Sequence, residues 1–255
     1  MTGKPGVYVE SKQSGRGIKM RKELFVLLLA GVMLLAGLGL GAAAADPVVF
    51  FESFEAHEVD AYPAGWTILN QDVHDAAGYS GARVSADTAA DGSKALKLIS
   101  VPSAEGGAEI VFDQPLLNHR LTVDLYKDPN VTENVNLELH SEKGRIGGLF
   151  VTSGGQMGYR RPDGANKPYY DEGGVRLPNG KWVTVEFEWN DAARVYKVSV
   201  IVDGVRYELT PPDGSPFEEA GGDGPVVKFR AAITKRDVDK VAYIDNIKVV
   251  DLAAE

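Results

Sequence analysis

The chain has 255 residues, with 27 basic and 36 acidic side chains for a net charge of −9, and no cysteine. Cysteine nucleophiles and disulfide closure are thereby excluded, so burial of a core or a bound metal must hold the fold. The acidic balance disfavours nucleic acid and anionic membrane surfaces as partners.

Residues 1–45 differ in character from the rest. Arg21 and Lys22 precede an uncharged apolar run from Leu24 to Ala45, and Ala43 and Ala45 fit the small residues required by signal peptidase. Residues 20–45 therefore read as a secretory signal cleaved before Asp46, the alternative being an uncleaved anchor. The polar residues 1–19 are long for such a leader. Ser14-Gly15-Arg16-Gly17 is encodable by a purine-rich string at ribosome-binding distance from Met20, so translation is expected to start at Met20, in a prokaryote. The leader carries six of the 27 basic and two of the 36 acidic residues, leaving 21 and 34 in residues 46–255, a net charge of −13. Those 210 residues suit one domain with a substantial core.

From Pro47 onward, short apolar runs alternate with Gly, Pro, Asn and Asp. PVVFFESFE, KALKLIS, AEIVFDQ, HRLTVDLYK, NVNLELHSE, GGLFVTS, QMGYRR and PVVKFRAAIT read as strands, and no convincing amphipathic helix interrupts them. In NGKWVTVEFEW, Val183, Val185, Phe187 and Trp189 alternate with Thr184, Glu186 and Glu188, a half-buried strand whose glutamates solvation explains. In YKVSVIVDGVRYELTP, Asp203-Gly204 marks a two-residue hairpin that sets Val202 against Val205 and Val200 against Tyr207. The closing VAYIDNIKVVDL, read with strict alternation, places Asp245 in an apolar row with Val241, Tyr243, Ile247 and Val249. A dozen such strands predict an all-β fold, an antiparallel two-sheet β-sandwich over residues 46–255.

FESFEAHEVDAYPAGW, DGSKALKL and YIDNIKV together resemble concanavalin A-like jelly rolls of the laminin-G type and jelly-roll carbohydrate-binding modules. The resemblance implies a jelly roll whose first and last strands lie side by side and share a structural calcium ion. Glu55 and Asp245 are the implied ligands, with Glu52 a weaker third. The plainer alternative is that Asp245 accepts hydrogen bonds from nearby backbone.

Enzymes share this fold. NLELHSEKG, with Glu138, His140 and Glu142 of one parity, resembles the Glu-x-Asp-x-Glu strand of laminarinase-like hydrolases, but His140 replaces the central Asp. A lyase would draw its base and carboxylate neutraliser from His140, Gln156, Tyr159, Arg160 and Arg161. No nucleophile elbow, phosphate loop or dinucleotide fingerprint is present, and His57, His74, His119 and His140 lack metal-ligand spacing. The ligand-binding candidates are Tyr159, Arg160, Arg161, Tyr169, Tyr170 and Trp182, with the aromatic rings stacking on a sugar; Trp189 has core parity, and Trp66 follows a Pro-Ala-Gly turn and is expected to pack under the fold. The expectation is a secreted or cell-surface sandwich, calcium-stabilised, that binds a polysaccharide or other glycan, or another extracellular surface, without catalysis and contacts neither nucleic acid nor, after signal cleavage, membrane. The alternatives are a carbohydrate-active enzyme, using Glu138, His140, Glu142 or Tyr159, and a structural envelope protein.

Overall fold

The computed structural model describes residues 46–252 apart from 103, 132, 161–173, 179, 219–223 and 235–239. The expected leader and signal peptide, together with Arg161, Tyr169 and Tyr170, lie outside the described residues. In chain order the elements are β1 (Val48–Glu52), β2 (Trp66–Ile68), α1 (Gln71–Ala76), β3 (Ala82–Ser85), β4 (Ala95–Ser100), β5 (Gly106–Leu116) and β6 (Asn118–Lys127). Then follow β7 (Val135–His140), β8 (Arg145–Val151), β9 (Met157–Tyr159), β10 (Trp182–Asn190), β11 (Val195–Val202) and β12 (Val205–Glu208). The last three are β13 (Ser215–Pro216), β14 (Val226–Ile233) and β15 (Lys240–Asp251).

They form two antiparallel sheets. One has nine strands, with β12-β11-β10-β6-β15-β4-β3 as its path, β1 added to β15 and β13 to β11; the other has six, ordered β2-β5-β14-β7-β8-β9. The two-residue period of each strand builds the core between them. Leu121, Val123 and Leu125 of β6 and Val183, Val185, Phe187 and Trp189 of β10 face Leu137 and Leu139 of β7 and Phe229, Ala231 and Ile233 of β14 in one apolar cluster. Full burial of each Leu, Val or Phe contributes roughly 1.5–3 kcal/mol, the main favourable term in a chain without disulfides. The one polar atom of Trp189 is satisfied inside this cluster: Nε1 donates to the Leu116 carbonyl at 3.1 Å.

The DG hairpin has the expected register, Val202 opposite Val205 and Val200 opposite Tyr207. Asp203 and Gly204 both take positive φ, 50° and 80°, as a type I′ turn requires. Glu186 departs from the expectation of a solvated face. It is 8% exposed because Arg206 donates to it at 2.6 Å, while Arg120 binds Glu188 at 2.8 Å.

The last strand corrects the reading of its parity. Ala242 and Ile244 face the core, as do Ile247 and Val249, so alternation breaks between them. A bulge shifts the register between Asp245 and Lys248, with Asn246 in the left-handed region at φ 47°. Asp245 therefore belongs with Tyr243 on the face turned away from the core, yet it has no exposed surface.

The two-residue β13 and three other short elements carry no readable pattern. β2, β3 and α1 span three, four and six residues, too few for a period to show.

Candidate functional site

The face of the six-stranded sheet turned away from the core concentrates polar side chains. Alternation along β7 sends Val135, Leu137 and Leu139 inward and Asn136, Glu138 and His140 the other way. On one flank β14 aligns Arg230 with Glu138 and Lys228 with His140; on the other, β8 aligns Gly148 with Glu138 and Phe150 with Asn136.

Glu138 is the hub. One carboxylate oxygen accepts from Arg145 Nη1 at 2.9 Å, the other bonds His140 Nε2 at 3.1 Å, and Arg230 Nε stands 3.8 Å away. Arg145 also grips Glu218 with two parallel bonds of 2.9 and 3.0 Å. Arg230 binds Glu105 and Lys228 binds Glu109, so carboxylates and cations alternate across the sheet. Burial pushes the pKa of Glu138 up, but the His140 hydrogen bond and the charges of Arg145, His140 and Arg230 outweigh it and hold the group down at about 2. At the edge of this face Arg160 donates to Asn136 Oδ1 at 3.3 Å and lies 4.7 Å over the Phe150 ring.

Of the two carboxylates expected for hydrolysis, Glu138 and Glu142, only Glu138 lies on this strand face. A glycosidase needs two carboxyl groups across the scissile bond, one of them protonated at working pH. Glu138 stays ionised. Glu142, expected on the same strand face, is instead an exposed residue of the loop after His140, because β7 ends there.

Among the described residues, the predicted ligand-binding residues Tyr159, Arg160 and Trp182 do not converge. Arg160 lies on the floor just described. Tyr159 is 6% exposed with its ring in the apolar cluster, since β9 pairs it with Leu149 on the inward parity; this corrects its expected place at a binding surface or as a catalytic base. Trp182 sits on the nine-stranded sheet, its ring 5.5 Å from Tyr126 and its Nε1 donating to Thr88. Tyr126 in turn meets Tyr243. Trp66 packs on Phe54 beneath the fold as expected.

Arg145, Glu218, Arg230, Asn136 and Phe150 were missed. The alternation in VVKFRAAIT marks Arg230 as facing away from the core, but nothing local says that β14 lies beside β7.

A cleft of about 840 Å³ opens at the end of the nine-stranded sheet, lined among others by Asp46, Arg120, Glu188, Lys197 and Asp213. The aromatic side chain at its wall, Trp189, is only 2% exposed and so offers no face for a sugar ring.

The residues implied as calcium ligands have other partners. Glu55 accepts from the backbone N–H groups of Ser93 and Lys94, both at 2.7 Å, and from the Ser93 hydroxyl at 2.8 Å. Those amide and hydroxyl donors, the Ser93 N–H foremost, hold its pKa below the usual range. Asp245 accepts from the N–H groups of Ala90 at 3.0 Å, Asp91 at 3.5 Å and Asn246 at 2.8 Å. Burial raises its pKa, against those three bonds. Glu52 turns back to accept from Phe54 N–H at 2.7 Å and to pair with His57 at 3.0 Å. Oxygens occupied by N–H donors do not fit a shared cation, and among the described residues no three His, Cys, Asp or Glu are grouped to hold a metal.

No protein-family model and no curated protein matches the chain. Among solved structures it is similar to a sialidase, with a TM-score of 0.57 at 16% identity over 82% of this chain and 19% of that one. It thus spans about a fifth of the sialidase. It is similar also to the catalytic domain of a glycoside hydrolase family 131 protein from Coprinopsis cinerea, TM-score 0.57 at 9% identity over 82% and 96% of the two chains. A family 131 β-glucanase catalytic domain from Podospora anserina gives 0.53 at 11% identity over 82% and 97%. At such identities the likeness establishes the fold alone, an antiparallel two-sheet β-sandwich.

Proposed function

We propose that the chain is an exported, non-catalytic β-sandwich that binds a glycan on the polar face of its six-stranded sheet. The observation that carries this reading is the fixed array around Glu138. Carboxylates, guanidinium groups and an imidazole are locked in mutual hydrogen bonds beside the Phe150 ring, so donors and acceptors stand ready at little ordering cost. A sugar needs both features, polar groups in fixed directions for its hydroxyls and a flat surface for its apolar face, here the Phe150 ring with the Arg160 guanidinium laid over it. The same locking argues against turnover, because Glu138 has no proton to give as a general acid near neutral pH, and both of its oxygens are engaged by Arg145 and His140 where a nucleophile or base needs one open. Export rests on the apolar leader and on cleavage before Asp46.

Affinity electrophoresis through gels carrying neutral and uronate-containing polysaccharides tests the site. Retardation by at least one polymer is expected, Phe150→Ala weakening it about tenfold, the scale of one lost ring contact. Trp182→Ala, on the opposite sheet, leaves it unchanged. Retardation lost in Trp182→Ala and kept in Phe150→Ala would move binding to the other face.

A further inference from the structure

The loop between β3 and β4 joins the start of the sandwich to its last strand, and it does so through a lysine. Glu55 holds the backbone N–H groups of Ser93 and Lys94. Lys94 returns the contact: its ammonium donates to the carbonyl of Glu55 at 2.9 Å and of His57 at 2.7 Å. Farther back along the same loop, Ala90 and Asp91 donate their N–H groups to Asp245. Gly92 makes the turn between the two grips at φ 70°, where an L side chain is strained, and a Cβ there would lie 2.6 Å from a Glu55 carboxylate oxygen and push that side chain off its grip.

Two backbone carbonyls beside a carboxylate are the oxygen ligands that a hard cation takes. Here the Nζ of Lys94 is already bonded to both carbonyls, and the carboxylates are turned to amide hydrogens. We infer that Lys94 serves as the built-in cation of this junction, so that the two ends of the sandwich are closed by an ammonium and a cradle of backbone amides and need no metal ion. The inference is independent of where a glycan binds. It also changes the roles implied by the family resemblance: Glu55 and Asp245 grip the loop, and the positive charge comes from the chain itself.

Thermal unfolding of the full chain tests this. The wild-type melting temperature stays within about 1 °C between excess EDTA and millimolar calcium, because no ion binds the native state selectively. Lys94→Met, which keeps the stem and removes the ammonium, lowers it by roughly 4–10 °C, as expected for two lost charge-assisted bonds in a domain of this size. A chelator-induced fall of several degrees in the wild type, or one equivalent of calcium retained after dialysis, would overturn the inference. So would a Lys94→Met protein that melts with the wild type. If Lys94→Met does not fold, the two wild-type measurements decide.

Discussion

Replacing Arg145 with methionine is expected to lower the melting temperature by roughly 6–12 °C. Its guanidinium satisfies two glutamates at once, Glu138 and Glu218, whose side chains are only 7% and 6% exposed. Methionine matches the stem and leaves both carboxylates short of their cation. Removing one partner of a buried ion pair costs about 3–5 kcal/mol. Arg145 itself is 23% exposed, so the lower part of that range applies. At about 2–4 °C per kcal/mol for a domain of this length, the stated shift follows. The control is a triple variant that also carries Glu138→Gln and Glu218→Gln. Without charges to strand, it recovers at least half of the loss; a triple variant as unstable as Arg145→Met would mean that lost packing, not stranded charge, sets the cost.

The second large effect is acid sensitivity. Glu138 has a pKa of about 2 in the fold against an ordinary value of 4.5, a difference equivalent to roughly 3 kcal/mol. The sign follows from the depressed folded value. The contribution is complete above the unfolded pKa and is lost as pH falls from about 5 toward 2, where the folded carboxylate takes up its proton. Glu55, also depressed, acts in the same direction. Asp245 acts against them, since its raised pKa means that protonation relieves the cost of burying its charge as pH falls. Glu138 has the larger shift, so net stability declines. Urea unfolding at stepped pH is expected to show that decline, and Glu138→Gln to flatten it while lowering stability at pH 7. An unchanged slope in the variant would place the acid sensitivity elsewhere.

The sandwich is legible in the sequence because its longer strands carry their signals locally. The alternation from Trp182 to Trp189 and the Asp203-Gly204 turn specify strand, face and register without reference to anything distant. Asp245 shows where that logic stops. Strict alternation sets it among core residues, and the single left-handed residue Asn246 moves it to the other face, which no apolar pattern announces. The site was half visible for a different reason. Glu138 and His140 stand out on one strand, but their partners carry no local signal: Arg145 lies past the turn into the next strand, Arg230 comes from β14, and Glu218, which holds Arg145, is 73 positions from it. Without those partners Glu138 reads as a candidate acid; with them it is a fixed anion. For Asp245 the plainer expectation of backbone donors describes the hydrogen bonds that the structure has, from Ala90, Asp91 and Asn246.

The most direct test of binding without catalysis is product analysis on whichever polysaccharide retards the protein, after prolonged incubation at neutral pH. The polymer is expected to remain intact, with neither new reducing ends nor unsaturated uronates above the protein-free control. Progressive release of either product, abolished by Glu138→Gln in a variant that still folds and binds, would contradict that reading and make the polar face of the six-stranded sheet an active site.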